Sequence, residues 1–542
     1  MEDGWRDRVS EPGEAVGRYL RNCIRIDTRT LAVFRVALAS LVLVDLLLRS
    51  RNFSTFYTDG GLVSHELARE TTPLEVGSLY FVSSEPAATA ALFVAHGLIA
   101  LALLVGYRTR IATALSFVFV LSLDLANPLV LSYADVLFAW LSFWAIFLPL
   151  GARWSIDAVH ADGPPRRSVA SLGSAFVLFQ MITMYTVNAA HKTASDLWLT
   201  GEAAVLVLGL DDMTFLLGDL VRSAPTALQI GGLTWFLMLS FSWLLVLTRG
   251  RLRTALVAAF VAAHLSFALT VRIGAFAYVA IAGVILFLQA EFWDDSRRLA
   301  RNVCVRTGTD ETAAFTTKPI TTARSLLEAF AATVPRPGPS SLGVHSNALR
   351  RKQAPWGPFA VSHALVAAVA VVVLVSALSA GGVVDDESGP AAEANAATSA
   401  LVDHQTEWRI FAPEPRTTDR YYVFPATTED GEVIDAYNDR ELSYERPSDE
   451  LQTQYGTYRE RFYMNSVATP DHPEVPARLA ESICTERSGE GDAITHLEMY
   501  LIEEEVTLET IDSPAERTRE ATRLYRHGCG DADPIEIEPP PF

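Results

Sequence analysis

Apolar residues are gathered along this chain into runs that approach the roughly 20 residues a helix needs to cross a bilayer. Polar and charged segments separate the runs, so each run predicts one membrane-spanning helix. The nine predicted spans are Leu31–Leu48, Ala87–Val105, Ile111–Ala126, Leu131–Leu150, Ser168–Ala190, Thr226–Leu247, Thr254–Val271, Gly274–Ala290 and Val361–Ala380. The pattern predicts a mainly α-helical, polytopic bundle of eight spans, with one further C-terminal span.

A shorter apolar run lies in the segment Leu197–Arg222 and is followed by Asp211 and Asp212. The run has only about ten apolar residues, which is too few to cross a bilayer. We expect an interfacial or re-entrant helix on the outer face of the bundle.

Composition divides the chain into a bundle and a small soluble domain. We expect the bundle at 1–297, a flexible cytoplasmic linker at 298–356, a transmembrane helix at 357–381, a tether at 382–400 and an acidic α+β domain at 401–542. Within that domain, WRIF, YYVFPA, GEVIDAY and THLEMYLIEEEVTLETI predict strands. PEVPARLAESIC and SPAERTREATRLYR predict helices.

Charge is distributed unevenly. From Gly382 onward there are 36 acidic residues and 13 arginines, a net charge of −23, whereas the preceding part carries +4. This balance argues against nucleic acid as a partner and suggests a surface adapted to high salt. The short basic loops alternate with arginine-poor connections, so we expect a cytoplasmic N-terminus and an external C-terminal domain in the cell membrane.

Two of the four cysteines, Cys484 and Cys529, fall in the predicted external domain, where a disulfide can persist. Two cysteines alone leave the pairing open. No Gly-rich phosphate loop, His-Glu-x-x-His or Cys-x-x-Cys motif is present, so the sequence predicts neither a metal site nor a nucleotide site.

Lysine is rare, and this makes one position informative. Only Lys192, Lys318 and Lys352 occur among 44 basic residues, and Lys192 closes an apolar span. An ionisable group at membrane depth is by default a functional-site hypothesis, and a buried lysine can serve as a base. In the alternative interpretation the amine only reaches the membrane surface and anchors a helix end.

Several polar and aromatic residues accompany Lys192. Asp196 is four residues on, and a carboxylate one helical turn away is expected to hold the amine charged and in position. A histidine inside a span, such as His264 or less convincingly His96, can shuttle protons or simply bond to a neighbouring helix. The candidate catalytic residues are Lys192, His191 and His264, and the candidate pocket residues are Asp196, Trp198, Gly201 and Arg272.

Four segments in order resemble the HTTM-domain family, which contains the vitamin K-dependent gamma-glutamyl carboxylases. They are FRVALASLVLVDLLLR with FYTDGGLVS, LSYADVLFAWLSFWAIFLPLGARWSIDA, AAHKTASDLWLTGEA, and HLSFALTVRIGAFAYV with LFLQAEFWDD. The resemblance implies that Lys192 acts as a base toward a reduced quinone, with reduced menaquinone as cosubstrate. It places His264 at the family's histidine before the Ile-Gly-aromatic segment.

Two departures bear on the activity that the resemblance implies. VLSYADV lacks the Asn-His pair that the carboxylases carry before Ser-Tyr, and the large lumenal domain has no recognisable counterpart. We therefore expect a bundle that binds a quinol in an outward-facing pocket, and we favour this over a protein-glutamate carboxylase. The acceptor of the reaction is expected to be a protein or a surface polymer. The alternative is a non-catalytic scaffold or transporter that presents the acidic domain.

Overall fold

The computed structural model describes residues 15, 17–71, 77–306, 408–470, 472–490 and 493–542, with a few positions between 325 and 335. The predicted span Val361–Ala380 and the tether at 382–400 lie outside the described residues, as does most of the linker at 298–356.

The described N-terminal part is a bundle of α-helices. Its helices are α1 (Thr28–Ser50), α2 (Phe53–Phe56), α3 (His65–Glu70), α4 (Pro86–Val105), α5 (Thr109–Ala126), α6 (Tyr133–Ala145), α7 (Ile156–His160), α8 (Leu172–Lys192), α9 (Asp196–Thr200), α10 (Glu202–Gly209), α11 (Gly218–Arg222), α12 (Pro225–Ser240), α13 (Leu244–Leu247), α14 (Gly250–Thr270), α15 (Phe276–Val284) and α16 (Ala290–Arg306). The short strands β1 (Ile26–Asp27) and β2 (Ser168–Val169) pair and bring the starts of α1 and α8 together.

Five described helices, α1, α4, α5, α8 and α14, are long and apolar enough to cross a bilayer. A sixth is added if Phe276–Phe287 and Ala290–Asn302, bent by 97°, form one broken span. The helical bundle is thus confirmed, but the predicted count of eight spans is not. Hydropathy reports the length of an apolar run and does not detect where the helix inside it ends.

The shortfall lies in three predicted spans. In Leu131–Leu150 the helix α6 has 13 residues, because it starts at the Ser132 capping box and ends before Pro149. Thr226–Leu247 is divided between α12 and α13, and Gly274–Ala290 contains only α15 and a 3-10 turn.

The segment Leu197–Arg222 forms α9, α10 and α11 instead of a span. Between α10 and α11, Phe215, Leu216 and Leu217 are exposed apolar residues. Short helices with exposed apolar residues are consistent with the expected position at a membrane surface.

The C-terminal domain is an antiparallel sheet with two helices. Its strands are β3 (Thr418–Val423), β4 (Pro425–Thr428), β5 (Val433–Asp435), β6 (Arg440–Glu441), β7 (Ile494–Glu505) and β8 (Arg519–Gly528), and its helices are α17 (Tyr458–Val467) and α18 (Glu474–Glu490). The long strand β7 pairs with β3 and β4 along one edge and with β8 along the other, while β5 and β6 extend the sheet beyond β4. The predicted α+β class is confirmed.

Two local predictions in this domain are wrong. SPAERTREATRLYR is not a helix, because most of it forms β8 and pairs with β7 from His496 to Glu504. Pairing along a buried neighbour overrides the helical propensity of Glu, Ala and Arg. WRIF, expected as a strand, is a turn outside the sheet. A disulfide joins Cys484 in α18 to Cys529, just after β8.

The domain docks on the bundle through ion pairs. Arg459 of α17 donates to Asp135 at 2.6 Å and to Asp45 at 2.9 Å, and both acids belong to bundle helices. In a second set of ion pairs, Asp212 of the bundle is 1 % exposed and pairs with Arg416 and Arg461 of the domain. These contacts fix the domain against one end of the bundle.

The stabilisation that the ion pairs of Asp212 provide depends on pH. Burial alone would raise the pKa of Asp212, but the neighbouring Arg416 and Arg461 lower it below its usual range. A carboxyl with a lowered folded-state pKa stabilises the fold above its unfolded pKa of about 3.9, and this contribution is lost as the pH falls through the folded pKa.

We expect Asp212→Asn to lower the free energy of unfolding at pH 7 by about 3 kcal/mol, since two largely buried guanidinium groups lose their carboxylate. The difference from wild type should shrink below about pH 4. Thermal unfolding in lipid nanodiscs from pH 7 to pH 3 measures both effects. Asp430→Asn, at an exposed turn of the same domain, is the matched control. Equal stability of the two variants at pH 7 would contradict the docking role.

Candidate functional site

One face of α8 carries the polar side chains of the site. Tyr185, Asn188 and Lys192 are spaced by three and four residues, so they lie on the same side of the helix. The side chain of Ser171 caps the start of α8, and the helix ends at Lys192. Lys192 is 1 % exposed, so its amine does not reach water at the helix end.

Three contacts enclose the amine of Lys192. Its Nζ donates hydrogen bonds to the carbonyl oxygens of Ile410 at 2.7 Å and Phe411 at 2.9 Å. It also lies 3.7 Å from the centre of the Trp198 ring, well inside the range of a cation–π interaction. Trp198 Nε1 donates to the Phe411 carbonyl at 2.9 Å. Trp198, predicted as a pocket residue, therefore contacts the amine directly.

The two carbonyls belong to the segment Trp408–Phe411, which we name the strap. Asn188 Nδ2 donates to the carbonyl oxygens of Trp408 at 2.7 Å and Ile410 at 3.0 Å. Trp408 and Phe411 have φ angles of 53° and 52°, a left-handed conformation that large side chains seldom adopt. Such backbone persists only where its surroundings hold it, and here the side chains of α8 and Trp198 supply the hydrogen bonds.

The strap is also anchored by its first side chain. Trp408 is buried, and its ring lies 6.2 Å from that of Tyr133 at the start of α6. Tyr133 belongs to the VLSYADV segment. The C-terminal domain thus packs against that segment.

Beyond the amine, a cavity of about 420 Å³ extends between the helices. Lys192, Asn188 and the strap residues Ile410 and Phe411, which contact one another, are among the residues that line it. Most of the lining is apolar or aromatic and comes from α10, α12, α14 and α15, with Trp235 and Phe267 among the largest side chains. The volume is in the range of a small-molecule site.

His264 lies close to this cavity but is not among the described residues that line it. Its Nδ1 is 2.8 Å from the Phe260 carbonyl oxygen and its Nε2 is 3.3 Å from the Tyr185 hydroxyl. A carbonyl only accepts, so a neutral ring carries its proton on Nδ1 and Nε2 accepts from Tyr185. The sequence predicts His264 in one pocket with Lys192; in the structure it lies beside the cavity that Lys192 lines. Tyr185, which does line the cavity, connects His264 to it.

The structure does not bring the other polar neighbours to the amine. His191 is half-buried and is not among the described residues that line the cavity, since adjacent residues on a helix do not share a face. Asp196 is exposed, and among the described residues no ion pair joins it to Lys192. The reason is a break in the chain: α8 ends at Lys192 and Asp196 starts α9, so the four-residue spacing does not span one helix.

Gly201 and Arg272 have structural contacts. Gly201 has φ +83° at the junction of α9 and α10, where an added Cβ would lie 2.3 Å from the Gln229 carbonyl oxygen of α12. Arg272, just after α14, donates to the Gln452 carbonyl oxygen at 2.5 Å and so binds the C-terminal domain. Neither lines the cavity in the described chain.

A second buried polar cluster joins the bundle to the C-terminal domain. Arg49 of α1 donates to Asp45, Asp124 and Asp135, and Arg459 of the C-terminal domain donates to Asp45 and Asp135. His96 lines a cavity of about 30 Å³ beside this cluster, a volume near that of one water molecule. This cluster holds helices and domain together and is separate from the Lys192 site.

Sequence reasoning missed Asn188, Tyr185 and the strap. Asn188 and Tyr185 could have been found from their spacing to Lys192 on one predicted helix. The strap could not, since its contacts with Lys192 join residues 218 and 219 positions apart.

Comparison with known proteins gives one family. Residues 24–293 match the family model described as the HTTM domain. The matched region runs from just before α1 into α16 and so contains Lys192, Trp198 and His264. A search of curated proteins and a search of solved structures found no match.

We expect Gly201→Ala to lower the free energy of unfolding by about 2–3 kcal/mol, because it adds strain at a positive φ and a clash with the α12 backbone. Thermal unfolding in nanodiscs measures this. Gly231→Ala is the matched control on α12, since a Cβ there meets nothing within 4 Å. If both variants unfold at the same temperature, the close packing of Gly201 on α12 is not required.

Proposed function

This chain belongs to the HTTM-domain family, and from that premise we propose that its bundle binds an apolar, membrane-dissolved ligand with which Lys192 exchanges a proton. One observation carries the proposal: a buried lysine amine lies at the end of a large, mostly apolar cavity. Burying an amine costs free energy, so a lysine retained there has a use that leucine or methionine would not serve.

The lining favours a flat aromatic ligand with a polar edge. Trp198, Trp235 and Phe267 offer aromatic surfaces, while Lys192 and Asn188 supply the polar groups. A reduced quinone of the menaquinone type has this chemistry, and its ring would be held by the aromatic side chains with a hydroxyl toward Lys192. When bound, such a quinol supplies the two-electron reducing chemistry that protein side chains lack.

The chain's own residues would act on protons and exclude water. Lys192 is the one amine among the residues that line the cavity, and a neutral amine accepts a proton from an acidic hydroxyl. Tyr185, hydrogen-bonded to His264, is a second proton-holding group along the same lining. The strap covers the amine and so separates it from bulk water.

More specifically, we propose that the protein is a quinol-dependent oxygenase or carboxylase in the cell membrane. Its pocket would face outward, with the N-terminus in the cytoplasm and the external domain near the acceptor, a protein or a surface polymer. The missing Asn-His pair and the packing of Tyr133 on Trp408 favour the quinol-dependent step over carboxylation.

A second candidate function has one observation in its favour. Lys192 donates to backbone carbonyls of the external domain, so its amine also ties that domain to the bundle. A non-catalytic scaffold that presents an acidic domain needs only this tie. The two candidates differ in whether an arginine can replace the lysine.

We expect Lys192→Ala and Lys192→Arg both to abolish oxygen-dependent quinol oxidation, by about 100-fold or more, because neither side chain is a usable base. The assay supplies menaquinol, oxygen and labelled bicarbonate to purified protein in nanodiscs. Formation of the quinone epoxide reports oxidation of the quinol, and incorporation of the label reports carboxylation. Lys318→Ala and Lys352→Ala change the other two lysines and are the controls.

A scaffold predicts a different pattern. Lys192→Arg would then keep the external domain docked and Lys192→Ala would loosen it, with no quinol oxidation by any variant. Absence of oxidation from well-folded wild-type protein, with several quinols tried, would reject the catalytic proposal in favour of the scaffold.

A further inference from the structure

All three bonding directions of the Lys192 amine, apart from its bond to Cε, are occupied by neighbouring groups. A tetrahedral nitrogen has one bond to Cε and three other directions, for protons or for a lone pair. Two of these directions meet the carbonyl oxygens of Ile410 and Phe411, and the third meets the face of Trp198. In this arrangement no direction is open toward the cavity.

An occupied amine cannot act as a base. To take a proton, Nζ must point its lone pair at the hydroxyl that gives the proton, at hydrogen-bond distance. A carbonyl oxygen opposite a lone pair is repulsive, so the two carbonyls require N–H groups on Nζ. The face of Trp198 likewise attracts an N–H group, since the ring carries negative charge on its face.

We infer that the strap is a removable cap which holds Lys192 in a resting state, and that Asn188 and Trp198 are positioning residues that set how firmly it is held. The inference rests on the proposed function for its catalytic meaning. When the strap withdraws, the uncovered ammonium first loses one proton to water. The neutral Nζ then takes the proton of a ligand hydroxyl through its lone pair, and the O–H electron pair stays on the ligand oxygen.

The contacts of the strap show why it can move as a unit. Five hydrogen bonds from three bundle side chains end on only three carbonyls, those of Trp408, Ile410 and Phe411. The positive φ angles at both ends of the strap make this conformation costly once the bonds are lost. Loss of a few bonds therefore favours release of the whole segment.

Reductive methylation followed by peptide mass spectrometry tests this in full-length protein in nanodiscs, without any quinol. The rate at Lys192 is compared with Lys318 and Lys352 of the same chain. We expect slow methylation of Lys192 in wild type and a roughly tenfold faster rate in Asn188→Ala, which deletes two hydrogen bonds to the strap. Trp198→Phe, which deletes one bond and keeps an aromatic face, should give a smaller increase.

Thr186→Ala is the matched control, because it removes a hydrogen bond of α8 to Ser242 and none to the strap. If Lys192 reacts equally slowly in wild type and in all three variants, the strap is fixed and the inference fails. Unfolding of Asn188→Ala would show as methylation of Lys192 as fast as that of Lys318 and Lys352. In that case the rate at Lys192 in Trp198→Phe decides whether the strap opens. If the strap opens but the protein oxidises no quinol, the inference that the strap is a removable cap stands and only the catalytic proposal is rejected.

Discussion

The need of a buried amine for partners organises this molecule. An amine taken out of water loses several kcal/mol unless other groups replace the lost hydrogen bonds. The bundle alone offers Lys192 the face of Trp198, and the carbonyl partners come from the strap of the C-terminal domain. The lysine is therefore satisfied only when the domain is docked.

Docking depends in turn on charges that are themselves buried. Arg459 reaches into the bundle, while Asp212 of the bundle reaches into the domain, so each part completes the other's ion pairs. Breaking such a pair leaves an uncompensated charge, which costs more than the pair itself contributes. Together the two clusters hold on the bundle the domain to which the strap belongs.

Much of the site could be predicted from sequence because it is local. Lys192, Trp198 and the apolar stretch of α8 lie within a few helical turns, and the scarcity of lysine marks the position. The predictions fail where contacts are distant or where a helix breaks. The strap is over 200 residues from Lys192, and Asp196 is lost to the site because a new helix starts there. Periodicity likewise does not show that β7 would recruit β8 into the sheet.

The most direct measurement is a cryo-electron microscopy map of the full chain in nanodiscs, with and without menaquinol. We expect ring density in the cavity beside Trp235, with a ligand oxygen within hydrogen-bond distance of Lys192 Nζ and the strap withdrawn from the amine. Ligand density elsewhere, or a filled cavity with both carbonyls still bound to Lys192, would show that the strap does not uncover Lys192 for this ligand.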